Sequence, residues 1–104
     1  MGQQACRMSI LGNQKRSAQL VTNGRFEIER NGDVASLEYT LAGPVLELIH
    51  TEVPESMRGT GAASTLAESA LQWAREHQIK VDVICPFVAE YLRIHPEYSD
   101  LVLR

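Results

Sequence analysis

The stretch Arg58-Gly59-Thr60-Gly61-Ala62-Ala63, RGTGAA, stands between an extended-looking run, PVLELIHTEVP over residues 44–54, and an amphipathic one, STLAESALQWAREH over residues 64–77. Its reading decides the fold, because a strand that turns through two glycines into a helix sets up a crossover connection. Many such turns use glycine only for its freedom to take positive φ. Position adds a second use. The first turn of a helix carries N–H groups without intrahelical partners and the positive end of the macrodipole, so it can bind an anion. Gly59 and Gly61 remove the Cβ atoms that would hold a phosphate away from those groups, and Arg58 adds a fixed positive charge. A Walker-type loop needs a longer glycine span ending in Lys and Ser/Thr, and a dinucleotide fingerprint needs G-x-G-x-x-G. Neither pattern is present, which argues against ATP and NAD as ligands.

Downstream of the loop, positions 63, 66, 67, 70, 71 and 74 are apolar at i, i+3, i+4, i+7, i+8 and i+11, which predicts a helix from Thr60 to His77 with an alanine-rich stripe. Gln78-Ile79 ends it, and KVDVIC follows as a strand with Val81, Val83 and Cys85 alternating against Asp82 and Ile84. Strand, helix, strand implies a right-handed crossover and a parallel pairing. Past Pro86, FVAEYLRIH reads as a second helix that Pro96 ends, with Phe87, Tyr91 and Ile94, or Val88, Leu92 and His95, sharing a face.

Upstream, RFEIER alternates as a half-buried strand, Asn31-Gly32-Asp33 reads as a hairpin turn, and VASLEYTLAG puts Ala35, Leu37, Tyr39 and Leu41 on one face. VLELIHTEV opens with apolar residues on both faces, which predicts a central strand covered on both sides. The expected architecture is a mixed α/β domain: a three-stranded antiparallel meander, a crossover helix, a parallel fourth strand and a terminal helix. Residues 1 to about 22 carry no clean period; QKRSAQLV fits a short helix or a strand, and the segment is read as an extension. A crevice should lie beyond the ends of the third and fourth strands, near the start of the crossover helix.

The 104 residues fit one domain spanning 1–104. Ten Lys+Arg against 13 Asp+Glu give a net charge of −3, with no basic block of the kind that marks a nucleic-acid footprint. Two distant cysteines, Cys6 and Cys85, argue for a reducing compartment. No run reaches the roughly 18 apolar residues of a membrane span, and the N-terminus lacks the apolar core of a signal peptide. These features predict a cytoplasmic protein with no membrane partner. His50, His77 and His95 do not have the spacing of a metal-ligand set, so no metal is expected.

Arg58, Gly61 and Ala63 occupy the three fixed places of the pyrophosphate loop Gln/Arg-x-x-Gly-x-Gly/Ala. With HTEVPESMRGTGAASTLAESALQWAREH and ICPFVAEYLRIHPEY in order, residues 22 to 102 resemble a small member of the GNAT N-acetyltransferase superfamily. The resemblance implies acetyl-CoA or another acyl-CoA as ligand. Its pyrophosphate would lie on residues 58 to 63 (Arg58, Gly59, Thr60, Gly61, Ala62 and Ala63), and its pantetheine arm along Thr51, Glu52 and Val53. It also implies an acyltransferase with an unknown acceptor, and gives Tyr91 the role of protonating the departing thiolate. The chain lacks room for the helices that shape an acceptor site in larger members, which leaves a non-catalytic CoA-binding module as the alternative.

Acyl transfer from a thioester to an amine needs a base, a carbonyl-polarising donor and a group that tolerates the thiolate. Cys85, where a strand ends and a helix starts, could carry the acyl group covalently if the helix N-terminus favours its thiolate. The plain alternative is a small core residue. His50 and Glu52 lie two apart on one strand, so on one face, and either could act as a base. Glu52 could instead pair with Arg58.

Overall fold

The computed structural model describes residues 6–16 and 19–103. Five strands form one sheet in chain order: β1 (Cys6–Arg16), β2 (Gln19–Arg30), β3 (Asp33–Ala42), β4 (Val45–Glu52) and β5 (Lys80–Val83). The first four are antiparallel neighbours, and β5 pairs with β4 in parallel after helix α1 (Ala62–Glu76). Helix α2 (Pro86–Ile94) and a 3-10 segment, Pro96–Leu101, complete the chain. The meander therefore has four strands where the periodicity predicted three. The extra strand is β1, in the segment without a clean period, and of QKRSAQLV only residues 17 and 18 lie outside the described ones. β1 escapes the sequence pattern because a bulge between Ile10 and Gly12 breaks its alternation.

The Asn31-Gly32 turn has φ of 54° and 86°, the left-handed pair that a two-residue hairpin requires. Helix α1 buries Ala62, Leu66, Ala67, Ala70, Leu71 and Ala74. Ala62 rather than Ala63 starts the stripe, one turn before Leu66, and the helix begins two residues later than the pattern suggested. Four alanines let its axis approach Phe26, Ile28, Leu37, Leu46 and Leu48, all almost fully buried. Each large side chain so enclosed contributes about 1.5–3 kcal/mol. The C-terminus of α1 closes with Gln78 at φ 57°, its N–H bonded to the Arg75 carbonyl and that of Ile79 to the Ala74 carbonyl at 3.0 Å. This is the paired closure that satisfies the last carbonyls of a helix.

In α2 the buried residues are Val88 and Tyr91, while Phe87 and Ile94 are exposed, so neither expected grouping holds in full. The start of α2 is set by Cys85 capping against β4 rather than by its own periodicity. Tyr98 packs against α1, under the Arg75 guanidinium at 5.7 Å. Both helices and the 3-10 segment feed a single core on one face of the sheet. The expected double cover of β4 is thus not found: Glu47, His50 and Glu52 occupy the face without helices.

One close approach fixes the middle of the sheet. Tyr39 lies across Gly24 and donates its hydroxyl to the Ser9 carbonyl at 3.3 Å. A Cβ at Gly24 would meet that carbonyl oxygen at 2.1 Å and the Tyr39 hydroxyl at 2.3 Å. Gly24→Ala should lower stability by about 1–3 kcal/mol or more. Tyr39→Phe, which keeps the ring, should cost only about 1 kcal/mol. Urea denaturation of the two variants checks the order.

Candidate functional site

Parallel pairing of β4 with β5 runs only from Val45↔Lys80 to Leu48↔Val83. At that point the Leu48 carbonyl takes two donors, the N–H groups of Ile84 and Cys85, each at 2.9 Å. The next residue of β4, Ile49, is an extra one: Tyr39 pairs with Leu48 and Glu38 with His50. This bulge bends β4 away from the chain that enters α2. Beyond Leu48 the two segments no longer pair, which leaves a gap in the ladder between Ile49–Val53 and Ile84–Phe87.

The bulge also decides which side chains face the gap from the helix side. Without it, alternation from Leu46 and Leu48 would carry His50 and Glu52 inward. With it, Thr51 shares the face of Leu37, while His50 and Glu52 share the opposite face with Glu38 and Ser36. Thr51 Oγ1 consequently lies 3.2 Å from Cys85 Sγ. Cys85 is 2% exposed and belongs to the core. His50 and Glu52 do share a face, as their spacing requires, but that face is not the one that holds Cys85.

Above the gap, the chain passes through the 3-10 turn Glu55–Met57 into the glycine loop. Met57, almost fully buried, anchors it, and its carbonyl accepts both the N–H and the hydroxyl of Thr60. Gly59 has φ 79° and Gly61, capping α1, has φ 84°. A Cβ on either would meet no protein atom within 4 Å, so both positions face open space. The first helical hydrogen bond of α1 is Thr65 N–H to the Gly61 carbonyl at 2.9 Å. The N–H groups of Gly59, Gly61, Ala62, Ala63 and Ser64 consequently have no acceptor among the described residues. They surround a hollow of about 320 Å³ whose other walls are Val53, Met57, Arg58 and Phe87. Arg58 is exposed and makes no ion pair with Glu52 or any other described residue.

Of the residues expected from sequence, the fold brings Thr51, Val53, Arg58, Gly59, Gly61, Ala62, Ala63 and Cys85 to this loop and gap. Thr60 belongs to the loop, with its hydroxyl turned inward. Tyr91 lies one turn along α2 from Phe87, its ring stacked on His95 at 4.1 Å. Burial, and then the Glu68 carboxylate, raise its pKa above the ordinary phenol value. It lies on the flank toward α1 and the Pro96–Leu101 segment. The second thiol, Cys6, is half-buried beside α1, where burial raises its pKa and disfavours the thiolate. Phe87, Met57 and Ser64 went unread at the site. Phe87 could have been found from one signal, a large apolar residue just after a strand-ending Cys-Pro.

Residues 25–101 match a family described as GCN5-related N-acetyl-transferase. The chain belongs to that family. Among its relatives, Protein NATD1 of Gallus gallus is 32% identical over 97 residues, covering 90% of this chain and 82% of that protein. Protein NATD1 of Mus musculus is 36% identical over 75 residues, covering 69% and 68%. The matched family region starts inside β2 and ends in the last 3-10 segment, so it contains the loop, the bulge and the gap but leaves out β1. No described helix is long and apolar enough to cross a membrane, and no group of metal-binding side chains occurs among the described residues.

Because Ile49 is the inserted residue, its deletion keeps every other side chain of β4 on its present face and removes only the bend. The variant should stay folded, with pairing to β5 prolonged beyond Leu48. Amide hydrogen exchange at Thr51 should slow at least tenfold; unchanged exchange would show that the bulge is not what parts the strands.

Proposed function

We propose that the protein is an acyl-CoA-dependent acyltransferase that moves an acetyl or other short acyl group to an amine. The observation that carries this reading is the set of five N–H groups without acceptors around a glycine-walled hollow. Such donors, at the positive end of a helix, suit the two negative charges of a pyrophosphate. The hollow suits that group, because both glycines leave open the space a Cβ would fill. Arg58 would add a charge-assisted contact at its rim. Val53 and Phe87 line the way from loop to gap, and strand β4 beyond Leu48, with no β5 residue paired to it, offers backbone partners to the amides of a pantetheine arm along Thr51, Glu52 and Val53.

The bound acyl-CoA supplies an activated thioester. The chain's part is to orient that group and to manage protons. Thr51 Oγ1 and Cys85 Sγ, 3.2 Å apart, form the floor of the gap on the helix side. Cys85 is the candidate acyl carrier: its sulfur would bond to the carbonyl carbon as the bond to the CoA sulfur breaks, and CoA would leave as thiol. In direct transfer the amine makes that attack itself. His50 and Glu52 are the candidate bases on the other face of β4, and Tyr91 the candidate acid toward the thiolate.

Acetyl-CoA at 100 times its dissociation constant should add about 2.7 kcal/mol to stability. Gly61→Val, which fills the hollow and strains a positive φ, should remove the shift. Absence of any shift in the wild-type protein at millimolar acetyl-CoA would sink the reading. Intact-mass measurement after incubation with acetyl-CoA tests the carrier role separately. An acetyl adduct that disappears in Cys85→Ala supports it, an adduct that persists removes Cys85 from that role, and no adduct during turnover assigns direct transfer.

A further inference from the structure

The face of the sheet without helices carries a second hollow, built by two bulges on one transverse row. In that row Ile10, Gly24, Tyr39 and Leu48 are paired neighbours across β1 to β4. Leu11 is the extra residue after Ile10, and Ile49 the extra residue after Leu48. Bulges coil a strand and re-aim its side chains. With one at each end of the row, Leu11 and Ile49 bracket a hollow of about 340 Å³ floored by Asn23, Glu38 and Thr40. That volume is at the small end of ligand sites.

The one charged residue lining the hollow is Glu38, with Arg25 and His50 opposite it on β2 and β4. Thr40 donates its hydroxyl to Asn23 Oδ1 at 3.2 Å, so these two polar groups satisfy each other. Arg25, opposite Glu38, has its Nε 3.7 Å from a Glu27 carboxylate oxygen, beyond hydrogen-bond distance. Glu38 is exposed and has no ion pair among the described residues; nor have Glu47 and Glu52 on the same face. Apolar walls with one carboxylate among the floor residues are complementary to an ammonium ion on a short aliphatic body.

The position is as informative as the lining. Ile49 directly follows Leu48, the last residue of β4 paired with β5. The hollow therefore borders the β4–β5 gap from the bare face, while the glycine loop and Cys85 border it from the helix face.

We propose that this hollow is the acceptor pocket and that it takes a small primary ammonium ion with an aliphatic body, held by Glu38 between Leu11 and Ile49. The inference rests on the acyltransferase reading for its role as acceptor site, and on its own geometry for cation binding. The bound ammonium ion first gives one proton to water, the neutral amine's nitrogen bonds to the acyl carbon, the carbon–sulfur bond breaks, and the second nitrogen proton leaves on the CoA thiol.

Calorimetric titration of the full chain with n-hexylamine hydrochloride, with and without saturating CoA, tests it. Hexylamine should bind at least tenfold more tightly than ethylamine, which lacks the body, and than hexanol, which lacks the charge. Glu38→Gln should weaken hexylamine at least fivefold and leave hexanol unchanged, and Ile49→Ala should shrink the advantage over ethylamine. No binding by the wild-type protein, or equal binding by Glu38→Gln, overturns the pocket. The two readings fail separately: Gly61→Val should lose acetyl-CoA yet keep hexylamine. Glu38-dependent hexylamine binding in a wild-type protein that binds no acetyl-CoA would remove the acceptor role and leave the cation site.

Discussion

The backbone hydrogen bonding at Leu48 is the constraint on which the site depends. Its carbonyl, held by the N–H groups of Ile84 and Cys85, ends the parallel ladder, and the bulge at Ile49 sends the rest of β4 in another direction. A buried backbone carbonyl can satisfy two donors because it has two lone pairs, so the end of the ladder leaves no orphaned group there. Beyond Leu48 the parting leaves the β4 backbone without a β5 partner. Here it produces a gap with Thr51 and Cys85 on one side and His50 on the other.

The helices complete the arrangement from above the gap. Phe87, second residue of α2, lines the same hollow as Gly61 to Ser64 at the start of α1, so both helices begin at one end of the sheet. The core that holds them there is made of small side chains on α1 and large ones on the strands, which fits a helix close against a twisted sheet at near-crystalline density. Polar ties add orientation at the far end: Arg75 bonds the Asp100 carboxylate and the Glu97 carbonyl, and Lys80 bonds the Asp100 carbonyl. These are exposed and each contributes little to stability, but together they fix the last segment against α1.

Legibility in the sequence varied with the kind of signal. Helix α1, the Asn31-Gly32 hairpin and the glycine loop were readable because their cues are local: a 3.6-residue period, positive φ at two adjacent turn residues, and free N–H groups at a helix start. β1 was not, because Leu11 breaks its period and its partner lies up to 22 residues away in Cys6↔Ile28. The single cover of β4 was also hidden, since Leu46-Glu47-Leu48-Ile49 reads as a doubly buried run when the bulge residue is counted as part of the alternation. Phe87 is assigned to the loop only by the packing of α2 beside α1.

What the sequence by itself determined is the chemistry of the segments: which runs from Arg25 onward are strands and helices, and where a helix start leaves N–H donors without acceptors. Those properties follow from residues within a few positions of one another. The tertiary structure decided which chemistry shares a face. A one-residue bulge reverses the parity of a strand, so it sets Thr51 rather than His50 beside Cys85, and it brings Leu11, Glu38 and Ile49 around one hollow. No local pattern encodes that choice, because the register of β4 is fixed by its partners β3 and β5 and not by its own letters.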